Sequence, residues 1–467
     1  MITNNLKNKK QSGYILIQVI VFAAISVYIL GALVGWAVIN IKASGQNFNR
    51  EQALQIAEAG IDYYRWHLAH APTDFQDGMA TSGPYIHDFN DKNGNTIGTF
   101  TLNITPPSLG STLVTIESVG KVNANPNISR KIKAQLAKPS MAKYAVAANA
   151  DMRFGAGTEI FGPVHSNGGI RFDGLAHNIV SSNKTTYTDP DDHTNEYAVY
   201  TTLSPRDPSP PTPLSERPDV FIAGRQFPLP LVDFSGITAD LAIMKTDAIA
   251  NGFWRSGSDK SGYHLTLKNN NTFDLKKVKK LISDCSGTAW SIDTEDSGDN
   301  YPMPNNGIIF LEDNVWVDGQ INGARLTIVA AVLPYEIATS KNITINNDLL
   351  YTNYDGTDVI GLIAQNNINV GLRSEDDLKI DAALIAQKGR VGRFYYTSGC
   401  SSTYYKRQTI TLYGMIGTAL RYGFAFTDGT GYQIRNLNYD ANLLYAPPPS
   451  FPLTSDQYVT LSWEEVK

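Results

Sequence analysis

The sequence predicts a mainly β protein carried on one long N-terminal α-helix, its larger part a right-handed parallel β-solenoid. Three observations lead there. Residues 14–41 run for 28 positions without Asp, Glu, Lys or Arg, more than the ~20 apolar residues a helix needs to cross the hydrocarbon core of a bilayer. Beyond Met141, short β-type runs recur. Asp151-Met-Arg-Phe-Gly155 returns as Gly169-Ile-Arg-Phe-Asp173, 18 residues on, and Leu362-Ile-Ala-Gln365 returns as Leu384-Ile-Ala-Gln387, 22 residues on. A loose period of about 20 residues with Gly, Asn and Asp at the turns is that of stacked rungs, each burying its inward aliphatics only against its neighbours. Charged residues make up 18% of the chain against 38 glycines and 24 tyrosines, a balance that suits a turn-rich exported β protein better than a helical cytosolic enzyme.

Lys7, Lys9 and Lys10 precede the apolar run, so the positive-inside bias leaves the first residues in the cytoplasm and nearly everything after Lys42 outside. An ordinary secretory signal has an apolar part of about 7–15 residues followed by a small-residue cleavage site. Here the small residue, Gly13, comes before the run. The helical pattern then continues to residue 68. Ala53, Ile56, Ala57, Gly60, Ile61, Tyr64 and Leu68 recur at spacings of three and four, with Glu51, Gln55, Glu58, Asp62 and Arg65 opposite. Pro72 marks its end.

Residues 69–140 predict a small headpiece of strands at 85–89, 96–104, 113–122 and 128–136, packed on the helix, with Asn93-Gly94 as a hairpin turn. Asp88, Asp91, Asn93 and Asn95 lack the twelve-residue frame and closing Glu of a calcium loop. The first rungs fall in 141–180. An α+β module is expected at 181–300, with a Pro-rich linker at 204–213, a helix at 238–251 and a hairpin at 263–275. The solenoid resumes over 301–446, with corners such as Asn322-Gly323. The tail, 447–467, is expected as an extended strap over it.

A glycine set directly before the apolar run, behind a basic leader (1–13), resembles the class III signal of type IV pilins and pseudopilins. Gln52-Ala-Leu-Gln-Ile-Ala-Glu-Ala-Gly60 is similar to the helix of PilX-type pilus assembly proteins. Gly162-Pro-Val-His-Ser-Asn-Gly168 and residues 307–319 resemble pilus-assembly-like proteins with a solenoid behind such a helix. The resemblance implies a prepilin peptidase that cuts after Gly13 and leaves Tyr14, in place of the usual Phe, as the new N-terminus. It places Gln18 at the fifth mature position, where most pilins carry a Glu that neutralises a neighbouring subunit's amine. It also implies other pilin-like subunits as partners and work in pilus assembly or surface adhesion. Gln18 supplies no charge, and the head is large for dense packing around a shaft. Both point to a low-copy, tip-like or non-filamentous membrane subunit, cytoplasmic only at its N-terminus.

A net charge of −5 speaks against nucleic acid as a partner. No HExxH, P-loop or dinucleotide fingerprint occurs, and no cofactor or metal is expected. Cys285 and Cys400 are the two cysteines; an oxidising exterior permits a bridge between them, and their spacing leaves the pairing open. Solenoids that cleave polysaccharides unite carboxylates from successive rungs. Asp173, Glu312, Asp313, Asp318, Asp376, Asp377 and Asp381, with His165, are the candidates for that alternative, a membrane-tethered carbohydrate-active enzyme. Most flank Gly or Asn as turn carboxylates do, and no triad assembles from spacing, so none is assigned a catalytic role. The aromatic clusters Tyr395-Tyr396, Tyr404-Tyr405 and Tyr422 to Phe426 offer a surface for a glycan or a partner protein.

Overall fold

The charge-free run extends into a single helix. The computed structural model describes residues 12–107, 111–234, 237–284, 287–399, 403–444, 446–453 and 457–466. In it, α1 (Ser12–His70) spans 59 residues, roughly 90 Å at 1.5 Å per residue. Its apolar N-terminal window is wholly exposed and is long enough to cross a membrane; Phe22, Val27, Leu30 and Trp36 stand open. Toward the C-terminus the predicted stripe takes over, and Ala53, Ile56, Ala57, Ile61, Tyr64 and Leu68 are buried. Two compact units divide the chain, residues 12–105, 115–135 and 462–466 forming the first and the rest the second.

The stripe on α1 is narrow because small residues let the sheet approach it. β1 (Tyr85–Asn90), β2 (Thr96–Thr105), β3 (Val114–Val122) and β4 (Asn125–Ala137) lie side by side in that order, with β1–β2 and β2–β3 antiparallel. A Cβ on Gly120 of β3 would stand 2.1 Å from the Ala53 carbonyl oxygen and 2.5 Å from the Ala57 nitrogen. One on Gly60 would stand 2.3 Å from Ser118 Oγ. Phe100, Leu102, Ile116, Ile132 and Ala134 fill the space beside this contact. At the Asn93-Gly94 turn, Asp91 Oδ1 accepts from the backbone of Asn93 and Asn95, so that carboxylate serves the turn.

The C-terminal strand (Val459–Val466) joins this sheet beside β4. Ser462 Oγ donates to Gln135 at 3.0 Å, and Arg130 pairs with Glu465. This corrects the expectation of an extended strap over 447–467. Only its first part lies on the large parallel sheet, where Arg325 donates to the carbonyls of Ala446 and Pro447 and Thr327 to that of Pro449. The last residues alternate in chemistry and find an unpaired strand edge.

In the second unit, the strands Ile308–Leu311 and Val359–Ala364 are buried at every residue, as parallel strands covered on both faces must be. Inward, register partners stack as Ile309, Ile328, Leu362, Leu384, Ile416, Val146, Val164 and Val180, all in parallel strands. Outward, Phe310, Val329, Ile363 and Ile385 meet Leu241, Met244 and Ala248 of α2 (Ile237–Asn251), together with Val232, Phe234 and Phe451. The sequence repeats are the rung repeats. Leu384, Ile385 and Ala386 lie in register on Leu362, Ile363 and Ala364, and Ile170 and Phe172 on Met152 and Phe154.

At one corner the amides form a ladder: Asn314 accepts from the backbone of Asn342, Asn342 from that of Asn367, and Asn367 from that of Arg390. Gly323, with φ +66°, turns the predicted Asn322-Gly323 corner.

The rungs do not stack in chain order. The early set climbs from Val146–Ala148 through Val164–Ser166 and Val180–Ser182 to Arg225–Gln226. The chain then returns through residues 229–234 and α2 to Phe253–Arg255, which pairs with Ile308–Leu311. Two late strands close onto early ones: Lys406–Thr418 lies on Val146–Ala148, and Gly431–Tyr439 lies on Thr158–Phe161. The stretch 181–300 holds α2 and strands of both parallel and antiparallel pairing. Arg225–Gln226, Phe253–Arg255 and Gly262–Lys268 pair in parallel with neighbouring strands, while Thr186–Thr188 with Asn195–Tyr197 and the strands from Thr272 to Pro302 add antiparallel. Two- and three-residue strands carry too little periodicity to stand out from polar, Pro-rich sequence.

Candidate functional site

Position along α1 decides what the helix meets. Tyr14 is 82% exposed and Gln18 is exposed as well. Gly13 lies within the helix, and the leader residues 1–11 are outside the described residues. From Ala53 onward the apolar face is consumed by the sheet, while residues 14–41 keep theirs. Apolar side chains exposed over that length require lipid or other apolar helices around them.

The candidate carboxylates are engaged separately among the described residues. Asp173 accepts from Arg171, Thr201 and Thr202. Glu312 pairs with Lys245, Asp313 accepts from Ser258, and Asp376 accepts from the backbone of Gln408. Asp377 is exposed. Asp381 accepts from Tyr351 N at 3.0 Å and from Tyr354 Oη at 2.7 Å, and burial pushes its pKa up despite both. No two of them share a partner.

His165 is buried with Nδ1 3.0 Å from Ser181 Oγ and its ring stacked on Tyr144. Ser181 Oγ donates to the Val164 carbonyl, so the imidazole Nδ1–H donates to Ser181 and does not activate it. Burial pushes the His165 pKa down, as a neutral core histidine requires.

Asp318 alone meets a histidine, and it is one that sequence reading missed. His264 on Gly262–Lys268 places Nε2 3.0 Å from Asp318 Oδ2 and Nδ1 2.7 Å from Glu295 Oε2. Lys276 pairs with the other Glu295 oxygen, and Asn347 donates to Asp318. Burial opposes a charged imidazole, but the hydrogen bonds and charges of Asp318 and Glu295 outweigh it and raise the His264 pKa. Against the same burial, those contacts lower the pKa of both carboxylates. A cleft of ≈ 410 Å³ opens beside the group, walled by Trp316 and Arg373. With both ring nitrogens taken, the imidazolium is a clamp joining three strands. Only the alternation of Tyr263-His-Leu-Thr-Leu267 was visible in sequence, and nothing in it points to residues 295 and 318.

The aromatic clusters divide by role. Tyr396 is buried and donates to the Ala289 carbonyl, Tyr422 is buried, and Tyr404 lies under Arg373 and Arg407. Tyr395 is exposed and meets the edge of Phe426 at 4.9 Å. Cys285 and Cys400 lie outside the described residues.

No family model and no curated protein matches the chain. Among solved structures, the crystal structure of the competence-associated pilin ComZ from Thermus thermophilus is similar over 90% of this chain and 98% of that one, at 13% identity and a TM-score of 0.30.

Proposed function

We propose that this chain is a membrane-anchored, pilin-like surface subunit that works in pilus assembly or adhesion at low copy, without catalysing a reaction. What supports the reading is the division of α1: an open apolar length long enough to span a bilayer, continuous with a stripe of Ala53, Ala57 and Gly60 held against a small antiparallel sheet. A helix shared in this way couples a lipid-embedded or helix-bundled segment to an external head. In the mature protein, Tyr14 is the first residue and Gln18 leaves a neighbour's buried ammonium without a carboxylate, a poor arrangement for a repeating shaft.

The test is the mass of the native N-terminus. A chain starting at Tyr14, and retention of the leader in Gly13→Val, support the reading; a native chain starting at Met1 overturns it. Even immunogold decoration along a filament would remove the low-copy part. A second reading, a tethered carbohydrate-active enzyme, draws on the cleft beside His264 and Asp318. Depolymerisation of a glycan, lost in Asp318→Asn, would establish it.

A further inference from the structure

Where the late rungs meet the early ones, side chains from both sets line a groove of ≈ 570 Å³, among them Arg153, Arg390, Arg421, Arg435 and Phe426, with Asp191 as its one acidic residue. Asp191 takes both Arg153 at 2.9 Å and Arg421 at 2.8 Å, so two cations share one anion. Arg390 and Arg435 have no carboxylate within ion-pair distance among the described residues. Arg390 donates to the Arg393 carbonyl and faces the Phe426 ring at 5.9 Å. Arg435 donates to Thr158 and to the carbonyls of Ala156, Tyr432 and Gln433. Carbonyls satisfy those donors without cancelling the charge. Burial accordingly lowers the pKa of both guanidiniums, the mark of desolvated cations without a counter-ion.

We propose that this groove binds an acidic sugar, a uronate unit of a surface polysaccharide. Guanidinium forks match a carboxylate in bidentate fashion, and the half-exposed Phe426 ring offers a face for the sugar's C–H side. The volume is that of a small-ligand cleft. Four arginines converging on one cleft, in a chain of net charge −5, differ from the extended basic track that follows a nucleic acid backbone. The site exists only once the two sets of rungs have stacked, because Arg153 and Asp191 come from one and Arg390 and Arg421 from the other. It rests on the adhesion part of the proposed function by naming a ligand class for it. Binding of a soluble probe is measured independently of the N-terminal mass, so the two fail separately.

The full chain in detergent is titrated calorimetrically with trigalacturonate, with neutral galactotriose, inorganic phosphate and a short DNA duplex as controls. Trigalacturonate binds, more weakly as salt rises, while galactotriose does not. Arg390→Gln weakens binding about tenfold, the effect of one charge-assisted contact. Thr427→Glu, at an exposed rim position outside the packing, weakens it at least as much with the melting temperature unchanged. Equal binding of galactotriose, unaltered affinity in both variants, no binding, or tighter binding of phosphate or DNA than of trigalacturonate would each overturn the assignment.

Discussion

Val146 and Ile416 are register partners in adjacent parallel strands, and both are fully buried. An early strand of the parallel sheet is therefore paired directly with one formed some 270 residues later, and neither presents a free edge at that level. Ile416→Ala is expected to destabilise the second unit by about 2–5 kcal/mol, the range for deleting a buried aliphatic. Amide exchange checks the coupling: protection falls in both 146–182 and 383–418. A loss confined to 383–418 would show that the sets are independent.

A second consequence concerns Arg393, fully buried with no carboxylate beside it among the described residues. Its guanidinium donates to the carbonyls of Gly371, Leu372 and Tyr404 and to Ser374 Oγ, between the rings of Tyr396 and Tyr432. Burial lowers its pKa to about 10. Arg393→Ala strands these acceptors and opens a cavity, so a loss of ~3–5 kcal/mol in urea unfolding is expected. Arg393→Lys recovers little of it, since one ammonium cannot span the same fork.

The clamp at His264 makes stability pH-dependent in a defined direction. Its pKa lies above the ordinary 6.5, so its contribution is complete below that value and is lost as pH rises through the raised one. Glu295 and Asp318 lie below their ordinary 4.5 and 3.8, so theirs is present above those values and lost as pH falls through the lowered ones. The clamp is whole between about pH 4.5 and 6.5. His264→Ala should cost about 3 kcal/mol at pH 6 and clearly less at pH 9. Urea unfolding at the two pH values tests this, and an equal loss at both would contradict it.

The small-residue contact on α1 yields a sharper test than its apolar side chains. Gly120→Ala puts a methyl where the backbone of Ala53 and Ala57 stands, and backbone on both sides cannot yield. The first unit should lose ~3 kcal/mol, the upper end of overpacking, with exchange rising over 51–70. Gly31→Ala and Gly35→Ala, where nothing lies within 4 Å, should leave it unchanged.

These cases show why parts of the structure could be read in advance. Residues 14–41 are legible because a charge-free apolar run of that length is helical whether lipid or other apolar helices surround it. Leu362-Ile-Ala-Gln365 and its copy are legible because stacked rungs repeat the same environment, and they land in direct register. The order of the rungs is not, since a parallel edge accepts any strand with matching inward residues and Val146 carries no sign of Ile416. Nor is the His264 clamp, assembled from three strands distant in sequence. The candidate carboxylates were visible as residue types, but their partners, from Lys245 to Tyr354, follow from topology.

The C-terminal strand carries a consequence for how the protein is made. Val459–Val466 completes a sheet whose other strands end at Ala137, so the early headpiece is finished by a strand made some 320 residues later. At 5–20 residues per second, the interval between the two is on the order of tens of seconds. Val146–Ala148 waits similarly for Lys406–Thr418. During synthesis, then, each of these sheets lacks a paired strand until the later residues have emerged. A chain cut short before Val459 would leave that edge of the headpiece sheet unpaired.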